Sequence, residues 1–403
     1  MAEEEDSHYL KSVTSLGDTR EVVTNQDIYS KTGIKLASRG SRIDSSFYER
    51  LVRHKLMPQL DECMTIEGAV SAVELLSRAK PLLDGPLSGI AEFVETERIW
   101  AIISKVNLNN ALSFKLTVAS EKRPELFEHS LRIMLLSLYL GLRRDLPETE
   151  LVALAEAALF HDLGELHIDP NILDKQHALT PDERKHIYAH PMTAYVILKN
   201  FPIYHPLVST AVLEHHEYLD GSGYPAGLQG ERISKLSQIL AIAEVTGGIR
   251  NRATLEIALK LNKHKLDTHL IGFVSELFKQ APGESSADWS AKDILETLAH
   301  LAAAFEEWDR VRKDDTQVAQ FADQRIQGLR QALFDAGFNP LEPDWLVSGI
   351  EDDPAGLMDV ETLIKESVWQ LKSLVRELDR LWPGSEGAKV KDWIGNCIQR
   401  VMN

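Results

Sequence analysis

The chain has 403 residues, with 44 Lys+Arg against 61 Asp+Glu and a formal net charge of −17. That is more than one ordinary core takes, so two or three domains are expected, and the acidic balance argues against tracking along nucleic acid. Two cysteines, Cys63 and Cys397, are too few for a disulfide framework; the acidic start MAEEEDSHYLK is no secretion signal and no uncharged apolar run reaches a membrane span, so a soluble, unanchored, cytoplasmic protein is expected.

Along the chain, residues 1–18 read as an acidic, loosely ordered tail. Residues 19–65 read as a small β-containing N-terminal module, with short strands over 19–44 and turn signals at Lys31-Thr32-Gly33 and Ser38-Arg39-Gly40. From 45 to about 119 the apolar residues recur at helical spacing, broken at Pro58, Pro81 and Gly85-Pro86, and 66–106 is taken as a helical linker region. Residues 125 to about 280 also read as mainly helical, interrupted by the glycine-rich loop 220–227, and within them His190-Pro191 opens a helical segment, 192–199.

Beyond Pro282-Gly283-Glu284-Ser285-Ser286 lie six of the seven tryptophans, and Ile294, Leu298, Leu301, Phe305 and Trp308 alternate at spacings of 4 and 3. A C-terminal helical bundle over 288–403 is expected. A second stripe, Ile364, Leu371 and Leu378 with Leu374 and Leu381, repeats at seven. It suits an intramolecular core better than a homodimer or signalling partner docked through these helices, because it is short. The expected fold class is mainly α.

Nine of the fourteen histidines fall between His129 and His216, where even scattering would put about three of them (14 × 88/403). Imidazole with carboxylate is a ligand set for Zn, Fe or Mn rather than Ca or Mg, and with no cysteine among them a catalytic metal fits better than a structural zinc knot. Glu125 and His129, at i and i+4, share a helix face, although alone such a pair is more often a surface ion pair or cap. His161-Asp162 ends a strongly apolar run, where unpaired polar groups are costly, and adjacent His and Asp can serve two ions with the carboxylate bridging. His215-His216-Glu217 follows another apolar stretch. His167, His177, His186 and His205 read as ordinary core or surface histidines.

Glu125…His129, His161-Asp162-x-Gly164, His190-Pro191 and His215-His216-Glu217-x-x-Asp220-Gly221-Ser222-Gly223-Tyr224-Pro225 resemble the HD-GYP branch of the HD-domain phosphohydrolases, over roughly residues 107–280. Residues 19–60 resemble, more weakly, a region that precedes some such domains. The resemblance implies an HD-type helical domain that hydrolyses cyclic di-GMP to the linear dinucleotide or to GMP in bacterial signalling, with two or three divalent ions, iron or manganese. Carried over by position, His129, His161, Asp162 and Glu244 would hold one ion, and His190, His215 and His216 the next, with Asp162 shared. Glu125 resembles the carboxylate that admits a third ion, and Tyr224 would meet substrate.

This sequence departs from the family pattern in three places. Glu165 stands where the pattern has a phosphate-contacting lysine, which puts a carboxylate in the catalytic centre beside Asp162. Glu244 replaces an aspartate, and Gly247 a second one. Arg250 and Arg252 are candidates to replace the missing lysine as substrate contacts. Beside an active phosphodiesterase, the pattern allows an HD-GYP-like signalling or binding protein with weak or no turnover, or an HD-type hydrolase of another nucleotide.

Overall fold

The computed structural model describes residues 2–85, 87–173, 180–248, 252–279, 289–312, 316–339, 353–382 and 387–402. The chain divides into two compact units, Met1–Tyr218 with Gly223–Gly247, and Leu219–Ser222 with Gly248–Asn403. Among the described residues the structure is mainly α, with two small sheets, and no helix is long and apolar enough to cross a membrane.

The first unit opens on a helix, α1 (Ala2–Leu16), where the sequence reads as a loose tail. Tyr9, Leu10, Val13 and Leu16 are buried. They recur three and four apart, and that apolar face outweighs the acidic start that suggested disorder. Five strands follow, β1 (Val22–Thr24), β2 (Ile28–Ser30), β3 (Lys35–Ala37), β4 (Leu56–Met57) and β5 (Met64–Ile66). β1 pairs antiparallel with β5, Val22 opposite Ile66, and the second sheet runs β3-β2-β4. β4 and β5 lie in sequence that reads as helical. The helical pieces there are short, a 3-10 turn at Ser45–Phe47, α2 (Tyr48–Leu51) and α3 (Leu60–Cys63).

Three helices, α4 (Ala72–Ala79), α5 (Ile90–Phe93) and α6 (Thr96–Ile103), lead into the site-bearing set. That set is α7 (Asn110–Lys122), α8 (Pro124–Arg143), α9 (Glu148–Phe160), a 3-10 turn (Leu163–His167), α10 (Pro170–Leu173), α11 (Pro181–Lys199), α12 (Pro206–Glu214) and α13 (Lys235–Gly247). Long apolar runs bury α8 and α9 on nearly every side, and they pack on one another and on α12 and α13. α11 starts on a capping box, Thr180 with Glu183, and runs straight through Pro191 rather than starting there.

The second unit contains α14 (Arg252–Leu261), α15 (Thr268–Leu277), α16 (Ala291–Val311), α17 (Gln317–Asp335), α18 (Pro354–Leu381) and α19 (Ala388–Met402). Ile257 and Leu261 share one apolar core with both stripes anticipated from sequence, Ile294 to Trp308 and Ile364 to Leu378, leaving Leu381 exposed. α14 thus buries its apolar face among the later helices, within the unit that takes in Gly248–Asn403. Leu219–Ser222 joins this unit through Arg325, whose guanidinium bonds Asp220 Oδ2 and Asp220 O, each at 2.9 Å.

Candidate metal centre

Three of the candidate histidines take their orientation from carbonyls that helices leave unpaired. His161 follows the last residue of α9, and its Nδ1 lies 2.8 Å from Ala158 O. His215 follows α12, with Nδ1 2.6 Å from Val212 O. The last four carbonyls of a helix have no intrahelical donor, so each imidazole meets an acceptor that needs one. His190 achieves the same inside a helix. Pro191 has no N–H to give to Ile187 O, four residues back, and His190 Nδ1 sits 2.7 Å from that oxygen. The His-Pro pair thus makes its own vacant acceptor. With Nδ1 the donor in all three rings, an assignment made from the hydrogen-bond network, Nε2 faces inward as a ligand atom.

The inward atoms form two groups, each within 4.8 Å: His129, His161, Asp162 and Glu244, and Asp162, His190, His215 and His216. Asp162 belongs to both, with one oxygen for each. Its Oδ2 is 2.9 Å from His161 Nε2 and 3.7 Å from His129 Nε2, and its Oδ1 is 3.1 Å from His190 Nε2 and 3.7 Å from His215 Nε2. Glu244, on α13, reaches His129 Nε2 at 2.9 Å and His161 Nε2 at 3.3 Å, so the extra methylene relative to aspartate does not take the carboxylate out of range.

The electrostatics differ between the groups. Burial opposes the charge on Asp162, but His161 beside it holds the carboxyl well below the usual range, and Glu244 is lowered likewise against burial by His129 and then His161. Burial also pulls His161 down. Asp162 outweighs it and the imidazole stands well above its ordinary value; His129 beside Glu244 and His190 beside Asp162 are raised too, in each case against burial. In His215 and His216 burial wins, and each imidazole is lowered, His216 further by its neighbour His215.

These residues fit divalent metal. His161 Nε2 is buried and, though close to Asp162, is not in line for a hydrogen bond. The Nε2 atoms of His190 and His215 face each other at 3.1 Å. Converging imidazole nitrogens around a shared carboxylate are stabilised by a cation between them, and the N/O set suits Fe, Mn or Zn.

Close backbone approach fixes the two groups relative to each other. A Cβ on Gly164 would stand 2.2 Å from His190 O, so only glycine lets the turn after Asp162 lie against α11. Gly247 answers a packing demand, since a Cβ there would meet Ile133 Cδ1 at 2.4 Å, and Ile133 is one turn after His129. Glycine at 247 therefore lets α8 and α13 approach. Behind the turn, fully buried Lys115 pairs with Asp61 at 2.9 Å, lies 3.2 Å from His167 Nε2 and sits 3.5 Å over the Tyr9 ring, joining the N-terminal module to the turn that carries Glu165. Glu217 anchors the loop beyond the histidine pair: its carboxylate accepts from Ala226 N, Gly227 N and Leu228 N at 2.6, 2.9 and 2.9 Å. Tyr224 stacks on His216 at 4.6 Å and meets Tyr188 at 4.7 Å.

Glu125 is in neither group. Its side chain, 65% exposed, pairs with Arg123 Nε at 2.6 Å. Glu165 lies beside the centre with Arg123 Nη2 3.7 Å away, and burial, then Asp162, pushes it up to about 7. Arg250 and His177 fall outside the described residues, as does the side chain of Arg252, the first residue of α14. His205 caps α12 and His167 stacks on Tyr9. Lys115, Arg123 and the Glu217 clamp were not foreseen. Only Glu217 left a signal, as an acidic residue beside a loop rich in glycine.

Residues 115–256 match the family described as HD domain, about a third of the chain. The chain is 25% identical over 240 residues to the 3'3'-cGAMP-specific phosphodiesterase 3 of Vibrio cholerae, which covers 57% of this chain and 52% of that one. It is 32% identical over 123 residues to a cyclic di-GMP phosphodiesterase of Pseudomonas aeruginosa, 30% of each chain. It is 36% identical over 121 residues to a cyclic di-GMP phosphodiesterase of Borreliella burgdorferi, 30% of this chain and 32% of that one. The chain thus spans about half the length of the first relative and about a third of the other two. These matches bear out the HD-GYP resemblance drawn from the motifs.

Proposed function

We propose that this chain is a metal-dependent phosphodiesterase that opens a cyclic dinucleotide, cyclic di-GMP or a close relative, to its linear form. The observation that carries the reading is Asp162, with one carboxylate oxygen turned to each of two ligand groups. His129, His161, Asp162 and Glu244 would hold one divalent ion and His190, His215 and His216 the second, both of iron or manganese. When bound, such a pair supplies water acidic enough to attack at neutral pH and positive charge opposite the phosphodiester.

The chain's own residues do the rest. The carbonyls of Ala158, Ile187 and Val212 keep His161, His190 and His215 in the ligating tautomer, so no reorganisation is needed when substrate arrives. Glu217 holds the 226–228 backbone and with it Tyr224, whose ring backs His216 and borders the space where a nucleotide would lie. Glu165, raised toward neutrality by burial, is the group suited to hand a proton to the leaving sugar oxygen. Names of relatives favour a cyclic dinucleotide, since they are cyclic di-GMP and 3'3'-cGAMP phosphodiesterases.

The second reading, a binding protein with little turnover, draws on Glu165 as well, because an ionised carboxylate beside the centre repels phosphate. Metal analysis together with product analysis on cyclic di-GMP and 3'3'-cGAMP decides between them. Linear product supports the phosphodiesterase. Tight binding without product supports the second reading.

A further inference from the structure

Three carboxylates, Asp162, Glu244 and Glu165, gather at the centre. Asp162 and Glu244 pair with His129, His161, His190 and His215. Glu165 adds a further, half-buried carboxylate three residues along the same turn, its N–H bonded to Asp162 O at 2.9 Å. Among the described residues, the arginine or lysine within ion-pair range of these carboxylates is Arg123 alone.

Arg123 precedes α8 and is 19% exposed at its side chain. It is held from two sides, with Nε at 2.6 Å from Glu125 and Nη2 at 3.7 Å from Glu165. Glu125 is one turn before His129 and Glu165 one turn after Asp162, so the guanidinium is bracketed by both ligand-bearing elements. A guanidinium has five N–H donors in a rigid plane. Here Nη1 makes no hydrogen bond among the described residues. A fixed, partly buried arginine with donors to spare beside an anion site is the geometry that takes a phosphoryl oxygen.

We propose that Arg123 is a substrate-binding residue of this site, set by Glu125 and Glu165 so that its remaining donors take a non-bridging phosphate oxygen of the substrate. This rests on the phosphodiesterase reading for the identity of the substrate but not for the anion contact itself. It also gives Glu125 a task other than metal ligation: the carboxylate fixes the arginine.

The test uses the metal-loaded full chain and the variants Arg123→Ala and Arg123→Lys. Binding of a phosphorothioate analogue of cyclic di-GMP and of inorganic phosphate is measured at several salt concentrations, with metal content and melting temperature alongside. A charge-assisted hydrogen bond contributes about 1.5–3 kcal/mol, so Arg123→Ala should bind the analogue about 10–150-fold more weakly. Its affinity should depend less on salt, metal content should not change, and Arg123→Lys should recover part of the loss. Unchanged affinity in Arg123→Ala overturns the proposal. So does a loss of binding that comes with loss of metal or of fold, because Arg123 is then structural. If the unaltered protein ignores the dinucleotide but binds phosphate in an Arg123-dependent way, the substrate reading falls and the anion contact stands.

Discussion

Adding a single methyl at Gly164 tests whether the turn after Asp162 and helix α11 are held at the separation the centre requires. In Gly164→Ala the new Cβ would stand 2.2 Å from His190 O and 2.9 Å from both His190 C and Cα, the first some 1.2 Å inside the 3.4 Å at which ordinary contact begins. All three are backbone atoms, so no rotamer change relieves the overlap. Either the turn or α11 must move by about 1 Å, against a tolerance of about 0.2 Å in a metal-ligand bond. Overpacking of this kind costs about 1–3 kcal/mol. In a unit of this size, at about 2–4 °C per kcal/mol, the melting temperature should fall by about 2–12 °C. Because His190 is itself a candidate ligand, affinity at its group should drop by at least the ~10-fold typical of a lost supporting contact. Calorimetry and metal analysis by mass spectrometry read the two effects, with Gly272→Ala, whose Cβ would meet nothing within 4 Å, as the control. Gly164→Ala with the metal content of the unaltered protein and a melting temperature within about 1 °C of it would refute the reasoning.

Asp162→Ala should lower content at both groups, since one oxygen serves each, whereas His205→Ala, which removes only the cap of α12, should leave metal content intact; equal losses in the two variants would remove Asp162 from its shared position. Metal uptake should release protons. His129, His161 and His190 are raised above their ordinary value in the metal-free protein, so they hold protons near neutrality that an ion must displace, and affinity should increase as pH rises through that range. Titration calorimetry in two buffers of different ionisation enthalpy counts the protons, and a count of zero contradicts the assignment. Glu165→Gln should keep both ions yet slow turnover by about 100-fold, the lower end of what a general acid supplies. Undiminished turnover would place proton delivery elsewhere.

Much of the site could be read from the sequence because its chemistry depends on residue identity. His161-Asp162 and His215-His216 are costly at the ends of apolar runs unless something converges on them, and the structure brings their inward atoms together with that of His190. What could not be read depends on backbone geometry. Pro191 signals a helix start, yet α11 passes through it, because the carbonyl that proline strands is taken by the neighbouring imidazole. Arg123 and Glu125 look like a routine surface pair until the fold sets Glu165 beside them. The acidic first residues conceal the buried face of α1, and Lys115, fully buried, gives no warning in sequence that Asp61 and His167 lie around it. The tryptophans mark where composition changes, and nothing in the sequence shows that α14, earlier in the chain, packs into the same core.

The central claim is that the two ligand groups sharing Asp162 would each hold an ion, and that the chain so loaded hydrolyses the phosphodiester of a cyclic dinucleotide. It is met most directly by incubating the metal-loaded chain with cyclic di-GMP in water enriched in oxygen-18 and weighing the products. The account predicts linear dinucleotide or mononucleotide carrying one heavy oxygen at the phosphate for each bond opened, and none from Asp162→Ala. Intact cyclic dinucleotide recovered from protein that holds both ions would contradict it.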